Sequence, residues 1–116
     1  MLYHKDKGLP EYRKGRFQLI YTKHAERTAT ERKIKRLPKW IVIDDTNVIE
    51  IEIGEFIKYL VRIPYSPRKD ILIAFVLQTK YGIVKTVWLN KKEDHHLSLN
   101  MEKYEDLRIQ EGKDDI

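Results

Sequence analysis

The sequence predicts an α+β fold, an N-terminal helical region packed on a four-stranded antiparallel sheet. Three observations predict it. A basic, alanine-bearing stretch over residues 23–36 has helical composition. Four segments between Val48 and Asn90 alternate or run apolar as strands do. The connections between them are too short for parallel crossovers, which take about a dozen residues or more.

Taken in order, residues 1–15 are polar, carry Gly8, Pro10 and Gly15, and have no sustained period, so they read as an irregular N-terminal arm. Arg16 to Tyr21 alternates, with Phe17, Leu19 and Tyr21 on one face, and reads as a short strand. Thr22 then stands where a helix cap belongs. The helix is expected from Lys23 to about Arg36, with Pro38 blocking continuation. Thr28 and Glu31 have capping-box spacing, which leaves a break near Thr28 open. Neighbours three and four apart line up His24, Arg27 or Thr28, Glu31 and Lys35 in one stripe, flanked by Arg32 and Arg36. The apolar side is thin, resting on Ala25, Ala29 and Ile34, so much of the helix faces solvent or ligand.

The strands follow. Val48 to Ile53 alternates isoleucines with Glu50 and Glu52, and Ile57 to Ile63 alternates until Pro64 stops it. Asp70 to Thr79 is almost wholly apolar, as in a central strand covered on both faces. Tyr81 and Gly82 are expected to turn the chain into a last strand, Ile83 to Asn90. Residues 16–106 then form a single domain and 107–116 a C-terminal tail. A chain of 116 residues suits one core rather than two.

Composition removes several classes. No apolar run approaches the roughly 20 residues of a membrane span, the first residues lack a signal-peptide core, and there is no cysteine. A cytoplasmic protein without thiolate metal sites is the expectation. The net charge of +5 is unevenly placed: residues 1–40 hold 12 Lys and Arg against 4 Asp and Glu, residues 41–116 hold 11 against 14. Such a basic front attracts phosphates in a salt-sensitive way, although a solvated basic face has the same composition.

The chemistry-bearing residues fall in two places, the basic helix and the run from Lys85 through Thr86, Trp88 and Asn90 to Asp94, His95, His96 and Tyr104. Strand alternation puts Thr86, Trp88 and Asn90 on one side and Lys85, Val87 and Leu89 on the other, so Lys85 joins the first group only through a twist or bulge. Read together, the two regions are halves of one site. Each member also has a plain reading: a surface histidine, a strand-favouring threonine, a tryptophan packed on a sheet. His95 and His96 point opposite ways in extended chain, so at most one enters a given site.

Thr22, Lys23, His24, Ala25, Glu26 and Arg27, then Glu31, Arg32 and Ile34, and an ending of His96, Leu99 and Tyr104, resemble the small RelE-like and BrnT-like toxin families within the wider barnase, colicin and RelE group of ribonucleases. The resemblance spans about residues 16–104 and rests on short motifs; this chain is longer at both ends and richer in histidine after the last strand. It implies a metal-independent endoribonuclease acting on RNA by 2′-hydroxyl transesterification, without a cofactor, and an antitoxin or other protein partner. Such cleavage needs a base, an acid and cations for the charged phosphorane. His24 and His96 are the candidate proton-transfer pair, and Arg27, Arg32 and Lys85 the candidate phosphate stabilisers. Thr86 and Asn90 would position the phosphate, Lys35 and Arg36 would bind backbone, and Trp88 or Tyr104 would stack on a base.

Two other classes stand beside this one. Asp94, His95, His96 and His24 offer metal-ligand chemistry for a metal-dependent nuclease, but no spacing fixes three of them on one ion. A non-catalytic module binding nucleic acid or protein would use the same basic helix. No phosphate-cradling glycine loop, nucleophile elbow or dinucleotide fingerprint is present.

Overall fold

The computed structural model describes residues 1–93. These form β1 (Leu2–His4), a short 3-10 turn (Lys5–Lys7), β2 (Gly15–Tyr21), α1 (Lys23–Glu31), β3 (Trp40–Ile43), β4 (Val48–Ile53), β5 (Ile57–Pro64), β6 (Lys69–Leu77) and β7 (Tyr81–Lys91). The strands make one sheet in the order β1-β4-β5-β6-β7-β2-β3. Every neighbouring pair is antiparallel except β2 and β7, which run parallel.

The expected fold class is therefore corrected. The protein is mostly β, a seven-stranded mixed sheet with one α-helix among the described residues, not a helical region on a four-stranded antiparallel sheet. The four expected strands are only its middle. β1 is three residues long, below any readable period, and is held by pairing with Glu50, Ile51 and Glu52 and by the N-terminal ammonium donating to the Ile53 carbonyl at 2.6 Å. β3 is four apolar residues, of which Ile41 and Ile43 are buried while Trp40 and Val42 are exposed. Its pairing with β2, and that of β2 with β7, are long-range choices that no local pattern encodes.

The helix starts at the expected cap, where the Thr22 hydroxyl accepts from the Ala25 N–H at 3.0 Å. It ends at Glu31, five residues before the expected Arg36. Lys33 takes φ 61°, and the Lys33 and Ile34 N–H groups donate back to Thr30 and Ala29 carbonyls at 3.0 and 2.8 Å. That is a complete left-handed C-cap, and it turns Ile34 into the core. Pro38 therefore follows the end of the helix and does not cause it.

The two faces of the sheet are unlike. The inner face gathers the main cluster, including Phe17, Leu19, Ile51, Tyr59, Ile73, Phe75, Val84 and Val87, with Ala25, Ala29 and Ile34 packed on it from α1 and the loop behind it. The outer face carries a smaller cluster, Ile49, Leu60, Leu72, Ala74 and Trp88. β6 is buried on both faces from Ile71 to Val76. Its neighbour β7 holds a bulge: Ala74 pairs with Thr86 but Phe75 pairs with Val84, so Lys85 is the extra residue.

Gly82 has a role other than the expected turn. The turn is made by Gln78 to Tyr81, closed by the Gln78 N–H on the Tyr81 carbonyl at 2.7 Å, and Gly82 lies within β7. A Cβ there would stand 2.7 Å from Phe75 Cδ2 and 3.2 Å from Leu19 Cδ2, so only glycine lets these chains close over the strand.

Within residues 1–15, β1 is followed by a segment whose Leu9 and Tyr12 pack against the main cluster. The Tyr12 ring meets Tyr59 edge-on at 6.2 Å, and Tyr59 stacks on Phe75 at 5.4 Å. Arg13 donates to the Gln78 carbonyl at 3.1 Å and to the Thr79 carbonyl, fastening this segment to the β6–β7 turn. No helix among the described residues is long and apolar enough to cross a membrane.

Candidate nucleic-acid interface

α1 owes its position to Thr22. Beyond capping the helix, the Thr22 hydroxyl donates to the Val84 carbonyl at 3.2 Å, which pins the first turn to β7. Ala25, Thr28 and Ala29 are then buried, and Lys23, His24, Glu26, Arg27, Thr30 and Glu31 are left exposed. Small alanines let the helix lie close to the strand, so the outward side carries nearly all its charge.

His24 and Arg27 share that outward side. The Arg27 Nη2 approaches His24 Nδ1 at 3.5 Å. A guanidinium only donates, so Nδ1 is the acceptor in this contact. Lys23 and Arg27, four apart, are like charges on one helix face, a spacing that repels in the absence of an anion. Lys23 also sits in the first turn, where the helix dipole favours negative charge.

Arg32 turns inward and donates from Nη1 to the Val87 carbonyl at 2.6 Å, tying the end of α1 to β7. Behind it, the Lys35 N–H donates to the Tyr65 hydroxyl at 3.0 Å, and Arg36 donates to the Tyr65 carbonyl at 2.7 Å with its guanidinium 4.5 Å over the Tyr65 ring. Tyr65 was not legible as a site residue, because the lone clue is its place just after Pro64. The Lys35 N–H bond, against the opposing effect of burial and with Arg36 and Lys35 charges beside it, holds the Tyr65 phenol below its ordinary range.

The strand half of the expected site lies elsewhere. Thr86, Trp88 and Asn90 share one face, opposite Ala74, Leu72 and Asp70, and that is the outer face. α1 packs against Val84 and Val87 on the inner face, so β7 itself separates His24 from Thr86 and Asn90. Trp88 is 6% exposed and belongs to the outer cluster. Lys85 is exposed at the bulge, one residue after the Val84 carbonyl that receives Thr22. His96, Tyr104, Asp94 and His95 lie outside the described residues, as do the expected tail and the domain boundary at 106.

What Asn90 does adjoin, through its pairing with Asp70, is a partly buried polar group. Arg62 donates from Nε to Asp70 at 2.7 Å and from Nη2 to the Lys91 carbonyl at 2.8 Å, while Lys92 bonds the other Asp70 oxygen at 2.5 Å. Burial works against ionisation of Asp70, but the Lys92 and Arg62 bonds outweigh it and hold the carboxyl below its usual range. Beside this group the Trp88 Nε1 and Asn90 Nδ2 donors are buried without a partner among the described residues.

Among the described residues no three His, Cys, Asp or Glu side chains gather as a metal site requires. A concavity of about 620 Å³ lies elsewhere, between Tyr12, Arg13, Ile51, Ile57, Tyr59 and Leu77. Its lining is mixed, with Glu11, Gln78 and Thr79 beside the apolar side chains. Comparisons with protein families, curated proteins and solved structures give no match.

Proposed function

We propose that the protein binds RNA through backbone phosphates along the exposed side of α1 and the loop behind it. The observation that carries the reading is that Lys23 and Arg27, one helical turn apart on α1, and Lys35 and Arg36 just after it are all exposed with no carboxylate pairing them among the described residues. Phosphates satisfy such cations, and the affinity they provide falls steeply with salt. The resemblance of the α1 sequence to the RelE-like and BrnT-like families supports RNA as the ligand.

The test is fluorescence anisotropy of labelled single-stranded RNA at increasing salt. The expected outcome is saturable binding with log affinity falling linearly against log salt. Binding that is absent at low salt removes the reading.

A more specific reading, metal-independent endoribonuclease, is favoured by the exposed His24, whose Nδ1 lies 3.5 Å from Arg27 Nη2. Imidazole transfers protons near neutral pH, and the neighbouring guanidinium suits a developing phosphorane. Its expected signature is cleavage of labelled RNA in excess EDTA with 2′,3′-cyclic phosphate ends, lost in His24→Ala. Intact RNA under those conditions leaves the binding role alone, and cleavage abolished by EDTA moves the protein to the metal-dependent class.

A further inference from the structure

The β6–β7 register places two lysines side by side. Without the bulge at Lys85, counting outward from the Leu77–Gly82 pair would set Lys69 opposite Asn90. The extra residue shifts the count by one, so Lys69 pairs with Lys91 and Asp70 with Asn90. Directly opposed like charges destabilise a sheet, and their side chains stand about 5 Å apart at Cβ.

Both lysines continue the inner-face rows. Lys69 precedes Ile71 and Ile73 by two and four residues, and Lys91 follows Leu89 and Val87 in the same way, all of them in or against the main cluster. Tyr65 adjoins them, its N–H donating to the Lys69 carbonyl at 3.0 Å. Tyr65 is also the residue that anchors Lys35 and stacks under Arg36. Tyr65 therefore brings the chain at Lys35 and the Arg36 guanidinium beside the strand end where Lys69 faces Lys91.

The adjacent Asp70 carboxylate does not neutralise them. Asp70 follows Lys69 but points to the outer face, where Arg62 and Lys92 already hold both its oxygens. No ion pair joins Lys35, Arg36, Lys69 or Lys91 to a described carboxylate. Lys69 and Lys91 are both exposed.

We propose that Lys69, Lys91 and Arg36 form a second phosphate seat at the end of the inner face, so that the RNA strand runs from α1 across Tyr65 onto the β6–β7 corner. The seat rests on the RNA-binding reading and extends it, from a helix that touches phosphates to a track that requires an oligonucleotide. α1, with nine residues, is only about 14 Å long, and the corner lengthens the contact beyond it. The like-charge pair then has a purpose: repulsion in the empty protein is relieved by a bridging phosphodiester.

The experiment compares wild type with the Lys69→Gln/Lys91→Gln double variant, using a labelled single-stranded RNA of about eight nucleotides, within the range single-strand sites occupy. The double variant is expected to bind about tenfold more weakly at low salt, with a salt slope shallower by about 1 to 1.5. Its melting temperature without RNA is expected to equal or exceed that of wild type, because a repulsion has been removed. Lys91→Gln alone should show about half the loss of slope, and it serves if the double variant does not fold. Wild-type binding with an unchanged slope in both variants overturns the seat and leaves the α1 reading standing. No binding by wild type overturns that reading, and the seat with it. Inorganic phosphate, compared with chloride at equal ionic strength, is expected to displace no RNA; displacement would make the corner a site for free phosphate and overturn the proposal.

Discussion

The two faces of the sheet use polar residues in opposite ways. On the outer face, Arg62, Asp70 and Lys92 are bonded to one another and to main-chain carbonyls, and they sit beside buried Leu72, Ala74 and Trp88. On the inner side, the cations of α1 and the β6–β7 corner lie outside the aliphatic cluster with no carboxylate partners among the described residues. Polar groups that satisfy each other hold a structure together; cations left without counter-charges are available to a ligand. The contrast predicts that outer-face changes act on stability and inner-rim changes act on binding.

The apolar part of the inner face should give the largest effect. Phe75 is fully buried, stacked on Tyr59 and pressed against Gly82. Phe75→Ala is expected to cost about 3–5 kcal/mol, read by urea or thermal unfolding. Gly82→Ala approaches the same contact from the other side and is expected to cost about 1–3 kcal/mol, since its new methyl must displace packed carbons. A neutral Gly82→Ala would mean that Phe75 and Leu19 do not close over Gly82 as tightly as the structure places them.

The outer polar group comes next. Arg62→Met leaves Asp70 with Lys92 alone in a site where the Asp70 side chain is 16% exposed, and the expected loss is about 2–3 kcal/mol. The pH dependence has a definite sign. A carboxyl whose folded pKa lies below its unfolded value of about 3.8 adds stability above that value and loses it as pH falls through the folded one. Wild type should therefore lose this contribution only in acid, and in Arg62→Met that part of the loss should shrink. Equal acid profiles for the two proteins would detach Asp70 from the ion pair.

Much of this contrast was hidden in the sequence for physical reasons. The alternation that places Thr86, Trp88 and Asn90 on one side of β7 is local, and it is there in the register with Ala74, Leu72 and Asp70. Which side α1 covers is not local; it depends on Thr22 reaching the Val84 carbonyl and on Ala25 and Ala29 meeting the inner cluster. So polar residues that look like half of a site stand behind the strand from His24. The bulge at Lys85 was equally hidden, because one extra residue leaves both strands with acceptable alternation while moving Lys69 opposite Lys91. The end of α1 was misplaced for a similar reason: a lysine at φ 61° carries no mark that a glycine would.

The smallest stability effects test the division most sharply. Arg27 is exposed and, among the described residues, bonded to His24 alone, so Arg27→Gln is expected to change stability by less than about 0.5 kcal/mol. Its effect on RNA binding should nonetheless be several-fold, with the salt slope reduced by about 0.7 for one lost single-strand phosphate contact. Thr86→Val, on the buried outer face, is the converse: a nearly isosteric change among Ala74 and Trp88 that should leave the salt slope and affinity untouched. Melting curves and anisotropy titrations on the same two preparations decide between the alternatives. If Thr86→Val weakens RNA binding while Arg27→Gln does not, the ligand lies on the outer face, and the unpartnered Trp88 Nε1 and Asn90 Nδ2 donors become the place to look for it.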